Sequence, residues 1–278
     1  MYKEIKRVDP ARGILQITTL NERFYAADEP HPVTGLPEMV FRPSVTWIAS
    51  YYPKGRGFEK WLKKNGDEAD EIAALAADRG YQVHRAIASL NAGETVHLSD
   101  VFEDQFGELR EMTPDEYAGV MSYVDWWEAE GNSQYEILDY ERTLWPDASA
   151  SAEKYGIEAK YFRWAGTMDL KVRRLTDGAI GIIDMKTAID IWPAHEIQLS
   201  AYSVAVGADF QAILQLNYRR NKKKKWKFTE IENKFSLFVS TMHIWEHETA
   251  GIEPLQRDFP LELRLKGIDP PKKKENAA

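Results

Sequence analysis

Cysteine is absent from all 278 positions. That excludes a disulfide scaffold, a thiolate zinc site, a cysteine nucleophile and a cysteine-held iron–sulfur cluster. No apolar run approaches the ~20 residues that span a bilayer, so no membrane partner is expected. The opening MYKEIKRVDP has no apolar signal-peptide core. The expectation is a soluble, cytoplasmic protein. No Walker-type phosphate loop and no internal repeat is present, so no built-in ATP motor is expected. An excess of positive charge is also lacking. Lys and Arg number 36 against 44 Asp and Glu, a net charge of −8, which alone argues against a phosphate-rich partner.

What remains is an ordinary globular composition, 44% hydrophobic and 29% charged, long enough to bury a sizeable core. Residues 14–26 predict a strand and turn at Asn21, followed by a Pro/Gly-rich loop, EPHPVTGLPE. Ser44 or Thr46 could cap a short helix, and 57–65 could form another. Residues 67–91 carry apolar residues at helical spacing, interrupted by Gly80, which suggests close packing there. Thr113 and Glu116 form a capping box with Pro114 at the first helical position, and Gly131 is expected to end that helix. Strands are expected at 134–144, 158–174, 179–187, 210–218 and 226–231, and helices at 193–206 and 232–249. The division is an N-terminal strand and helical region at 1–132, a core at 133–262 forming one unit with those helices, and a disordered tail at 263–278. The order of elements predicts an α/β fold with a central mixed sheet flanked by helices.

The chemistry lies in AGTMDLKVRRLTDGAIGIIDMKTA. Strand alternation puts Ile180, Ile182, Asp184 and Lys186 on one face. An apolar run ending in a carboxylate and then an ammonium is unusual for a core strand, because an unpaired buried charge is costly. Asp169 and Asp184 could share a hard divalent cation through oxygen ligands, with the Met185 backbone carbonyl adding another. Lys186 would then orient water and stabilise charge on a phosphate. On the tripeptide alone, a structural Asp–Lys pair or a solvated strand end explains it equally.

The wider pattern is Gly80 and His84, Gly166 and Asp169, Asp184-Met185-Lys186-Thr187, then Gln198-Leu199 and Tyr202. With Pro43–Thr46 and the Trp61 region, this resembles the PD-(D/E)XK nuclease superfamily. More narrowly it resembles the stand-alone RecB-type exonucleases: phage, mitochondrial genome-maintenance and CRISPR-adaptation enzymes. The resemblance covers about residues 40–250. It implies a restriction-endonuclease-like core in which Asp169, Asp184 and His84 bind Mg²⁺ or Mn²⁺. It implies a catalytic Lys186, with Gln198 and Tyr202 lining the DNA channel or bracing the site. Glu141 matches an acidic position of these nucleases, an outer metal ligand or a residue behind the ligands, although a strand-end glutamate is more often merely solvated. Ser44 and Thr46 could touch a phosphate or simply cap a helix. The implied activity is metal-dependent hydrolysis of DNA from ends, single-stranded or frayed, in recombination, repair or phage genome processing. A single-strand annealing protein or a helicase would be a fitting partner. No iron–sulfur cluster accompanies it here.

Arg219, Arg220, Lys222, Lys223, Lys224, Lys225 and Lys227 put seven cations in nine positions around Trp226. The remainder of the chain is therefore more acidic than the average implies. The run could contact phosphates, with Trp226 stacking on a base, or be a solvated hairpin tip. His243 and His247 in HIWEH lack the glutamate of a zinc-protease helix, and with His195 they read as packing or surface residues. Two alternatives to the exonuclease remain, an endonuclease on the same core and an inactive DNA-binding protein. The intact Asp169, Asp184 and Lys186 favour an enzyme over the latter.

Overall fold

The computed structural model describes residues 3–19, 22–31, 33–104, 107–217 and 225–249. Asn21 and the tail at 263–278 lie outside these residues. Four strands, β1 (Lys3–Asp9), β2 (Ile14–Thr19), β3 (Arg23–Pro30) and β4 (Pro37–Pro43), form an antiparallel meander in that order. Only the two ends of the expected Pro/Gly loop are strand, with β3 ending and β4 beginning at prolines on matching ends of the ladder. Prolines are tolerated at such strand ends, where no ladder hydrogen bond is lost.

Helix α1 (Val45–Ala49) follows, then α2 (Arg56–Asn65) and the long α3 (Ala69–Asn91). A short hairpin, β5 (Val101–Glu103) and β6 (Leu109–Glu111), leads to α4 (Pro114–Trp126). The Thr113–Glu116 capping box and Pro114 start α4 as the sequence reads. Gly131 does not end the helix. The chain passes through a π-helical turn at Trp127–Gly131 into α5 (Asn132–Gln134). Gly131 is needed for another reason, since a Cβ there would lie 2.6 Å from the Trp127 ring.

The second sheet has the order β11-β10-β9-β8-β7. β7 (Tyr135–Leu144), β8 (Gly166–Arg174) and β9 (Ile180–Lys186) are antiparallel neighbours. Helix α6 (Ala148–Tyr155) and a 3-10 turn occupy most of the stretch between β7 and β8, so the strand expected from 158 begins at 166. Asp147 caps α6 by accepting from the amides of Ser149 and Ala150. Helix α7 (Pro193–Val206) carries the chain from β9 to β10 (Phe210–Gln215), which pairs with β9 in parallel. β11 (Lys227–Glu230) returns antiparallel, and α8 (Phe235–Thr249) closes the described chain. The fold is α/β with a mixed five-stranded sheet. No helix among the described residues is long and apolar enough to cross a membrane.

Strand alternation divides the core in two. Val83 and Ile87 of α3 and Val120, Tyr123 and Trp126 of α4 pack on Leu170, Val172, Ile183 and Met185. Val45, Ile48, Ile197, Tyr202, Phe238 and Met242, from α1, α7 and α8, pack on Met168, Ile182 and Ile213. The N-terminal helices and residues 133–249 therefore pack on the same sheet. The glycine that lets α3 approach a neighbour is not Gly80. It is Gly119 of α4, where a Cβ would lie 3.1 Å from Val83 Cγ2.

Two charged staples hold the periphery. Arg42, 6% exposed, donates to Pro146 O and to Glu29 and lies over the Trp145 ring. Arg110 grips both Glu116 oxygens at 2.7 and 2.9 Å and Asp78 at 2.5 Å, joining β6, α4 and α3. A paired buried ion is costly to orphan, so Arg110→Ala should lower stability by about 2–3 kcal/mol at pH 7. Burial raises the Glu116 carboxyl, but its bonds to Arg110 and Thr113 outweigh that and lower it. Its contribution is thus present above the usual glutamate value and lost as pH falls through the folded one. Urea denaturation of wild type and Arg110→Ala should show a gap that shrinks with acidification; an unchanged gap contradicts this.

Candidate metal centre

The site is built where β8 and β9 stop pairing regularly. Their ladder ends at Leu170↔Ile183. Beyond it Asp169 Oδ2 accepts the Met185 backbone N–H at 2.6 Å, so a side chain continues the ladder. Leu170 packs with α3 and α4, whereas Met168 packs with α7 and α8. Alternation therefore breaks at Asp169. On the other side, β7 pairs Tyr140 with Leu170 and Arg142 with Met168 but leaves Glu141 out of the ladder, at φ 46°. A left-handed glutamate within a strand is uncommon and costly, and such strain gathers at functional positions.

These distortions aim two carboxylates at the same point. His84 on α3 meets them, its Nδ1 3.3 Å from Asp169 Oδ1 and 3.5 Å from Glu141 Oε1. One ligand atom from each of His84, Glu141 and Asp169 lies within 4.8 Å of the others, a set that could hold a metal ion. His84 stands beside Val83 and Ala86–Ile87, whose burial fixes the rotation of α3. Glu141 Oε1 is buried and has no aligned hydrogen bond. A buried oxygen in that state fits a cation, which would satisfy it.

Asp184 and Lys186 share a face of β9, as alternation requires. Lys186 Nζ lies 2.6 Å from Asp184 Oδ2, and that oxygen has no aligned hydrogen bond beyond this ion pair. Asp184 thus stands beside the His84–Glu141–Asp169 set rather than in it. The sequence pattern weighted Asp184 as a ligand and Glu141 as peripheral; the geometry gathers Glu141 into the set. The backbone conformation that turns Glu141 inward leaves no mark in composition or periodicity.

Burial and mutual charge set the protonation of the group. Burial alone would lower His84, but the charges and bonds of Asp169 and Glu141 outweigh it and hold it well above its ordinary value. Burial would raise Asp169; His84, Lys186 and the Met185 amide bring it below the usual range. Burial, helped by the Asp169 charge, pushes Asp184 up to about 6 against the pull of Lys186. Burial also raises Glu141, opposed by His84. Lys186 is raised, the charges of Asp184 and Asp169 exceeding the effect of burial.

Several expected DNA contacts are elsewhere. Tyr202 is 2% exposed and bonds Gln198 at 3.3 Å, so it braces the site and is closed to a nucleic acid. The glycine of the GxxD motif explains its position: a Cβ on Gly166 would lie 2.7 Å from Tyr202 Oη. Gln198 remains partly exposed. Trp226 is 6% exposed within the α3–α4 core, so its ring packs there and does not stack on a base. Ser44 is 1% exposed and its Oγ accepts the Trp47 amide, capping α1; burial keeps it from a phosphate. Thr46 is exposed on that helix. Arg219, Arg220, Lys222, Lys223 and Lys224 lie outside the described residues, while Lys225 is partly exposed. The ends of that stretch are fixed: Ser122 Oγ accepts from Asn217 N and donates to Lys225 O. Gln215, just before it, pairs in register with Lys186. His243 bonds the Tyr161 hydroxyl at 2.7 Å, a packing role. His195 accepts the Trp192 amide, and burial with the nearby Lys186 charge drops it to about 3, so it is neutral.

In metal-free protein, protonated His84 bridges two carboxylates. Because its folded value is raised, its contribution is full below the ordinary histidine value and is lost as pH rises through the folded one. His84→Gln should therefore destabilise the metal-free protein at pH 6 by about 1–3 kcal/mol, with the gap narrowing at alkaline pH. Thermal melts in chelator across that range are the check; a gap that widens with pH contradicts the assignment.

No protein-family model and no curated protein matches the chain.

Proposed function

We propose that the protein is a metal-dependent deoxyribonuclease, a PD-(D/E)XK enzyme of the RecB-type exonuclease kind with a restriction-endonuclease-like core. The observation that carries the reading is the convergence of His84, Glu141 and Asp169 beside the Asp184–Lys186 pair. Three oxygen and nitrogen donors suit Mg²⁺ or Mn²⁺, and a neighbouring ammonium suits a phosphate.

His84, Glu141 and Asp169 would hold the cation, with Asp184 and the Met185 carbonyl at its flank. The cation, when bound, acidifies water and offsets charge on a phosphodiester. The chain's own groups do the remaining work. Lys186 presents positive charge at the end of β9, where excess negative charge on the phosphate would develop. Asp184 keeps Lys186 oriented, and burial, which raises it to about 6, suits it to take a proton near neutrality. Asp169, fixed by the Met185 amide, keeps its geometry whether or not the cation is present. Tyr202 against Gly166 locks β8 to α7 behind these groups. The basic stretch after Gln215 begins at the same end of the sheet as Lys186, a fitting place for a phosphate backbone.

DNA labelled separately at each strand end, incubated with Mg²⁺ or Mn²⁺, tests the reading. Wild type should release nucleotides, and Lys186→Ala should be slower by about 100-fold or more. A closed single-stranded circle should survive; its cleavage would replace the exonuclease with an endonuclease. Intact DNA with both proteins rejects an enzyme, and equal digestion rejects the site.

A further inference from the structure

Helix α2 fully buries none of its residues. Ten residues are too few for a helix to be stable alone in water, so its apolar face needs a partner. That face carries Phe58, Trp61 and Leu62. Phe58 and Trp61 stack on each other with centroids 5.7 Å apart and planes at 23°. Both rings are partly exposed, and Leu62 is 39% exposed. Phe58 meets Trp192 edge-on at 6.5 Å, and Lys54 Nζ lies 4.4 Å from the Phe58 centroid.

The charge of the segment is opposite to that of the molecule. Lys54, Arg56, Lys60, Lys63 and Lys64 stand against the single Glu59, in a chain of net −8. Its location follows from Trp192. That residue ends the loop that leaves β9 just after Lys186, and Gln215 holds the start of the loop by donating to Ala188 O and Ile189 O. A Cβ on Gly57 would touch Trp192 at 3.5 Å. A Cβ on Gly80 of α3, one turn from His84, would lie 3.5 Å from Thr187 Oγ1. Helix α2 therefore flanks the loop that leads out of the site.

We propose that α2 is a binding platform for a single-stranded nucleic acid, with Trp61, backed by Phe58, stacking on a base and Lys60, Lys63 and Lys64 contacting phosphates. The proposal rests on the nuclease reading for its purpose, not for its geometry. Exposed aromatic faces among cations favour unpaired bases, since a duplex hides the faces that stack. A purely apolar protein partner would leave the five cations without counterparts.

Binding of labelled oligothymidylate to the full chain, followed by fluorescence anisotropy in EDTA, isolates the platform from cleavage. Trp61→Ala should weaken binding by about 10-fold or more. A Lys60→Ala, Lys63→Ala, Lys64→Ala triple variant should reduce the salt dependence, log K against log salt, by about 2. Duplex binding should change little with Trp61→Ala. Because no α2 residue is fully buried, melting temperatures should change little, and the triple variant leaves the aromatic pair intact should Trp61→Ala disturb the helix. Unchanged oligothymidylate binding in both variants overturns the proposal, even if metal-dependent digestion is intact. A Trp61→Ala effect confined to self-association in sedimentation also overturns it, assigning the face to a second copy. Loss of digestion in Lys186→Ala with normal oligothymidylate binding leaves the platform standing and reports on the active site alone.

Discussion

The structure is organised around five ionisable groups gathered at one point, Asp169 and Asp184 buried and His84, Glu141 and Lys186 partly exposed. His84, Glu141, Asp169, Asp184 and Lys186 come from α3, β7, β8 and β9, and none could be buried singly without a large penalty. Three carboxylates face one ammonium and one imidazole. With His84 protonated the cluster is one positive charge short. That imbalance holds His84 raised against its burial and adds to the burial that raises Asp184. A divalent cation held by His84, Glu141 and Asp169 would relieve the same imbalance and would require the neutral imidazole.

The surrounding fold supplies what the cluster demands. Opening the β8–β9 ladder at Leu170↔Ile183 frees Asp169 to serve the site while its side chain still answers the Met185 amide. The left-handed Glu141 puts a third oxygen where regular alternation would not. Such local costs persist only where neighbours are rigid. Here the rigidity comes from Tyr202 seated against Gly166 on one face of the sheet and from Val83 and Ile87 on the other.

Much of this was legible in the sequence. The capping box of α4, the amphipathic spacing of the second half of α3, the helix α7 between two strands and the shared face of Asp184 and Lys186 all follow from short-range rules, whereas Ile72 and Leu75 of α3 are exposed. What was not legible depends on partners far along the chain. α6 hides behind a Trp-Pro turn signal. β1 and β4 lack strong alternation and are held by pairing with the strands between them. Trp226 reads as exposed because it sits among lysines, yet the α3–α4 core takes the ring. Glu141 was underweighted because positive φ has no sequence signature outside Gly, Asn and Asp.

The central claim is that His84, Glu141 and Asp169 form a divalent-cation site. Calorimetric titration of chelator-stripped protein with Mn²⁺ at pH 7.5 tests it without any substrate. Saturable binding is expected, with proton release and loss of affinity by about 10-fold or more in Asp169→Asn and in Glu141→Gln. No saturable binding, or equal affinity in wild type and both variants, would contradict it.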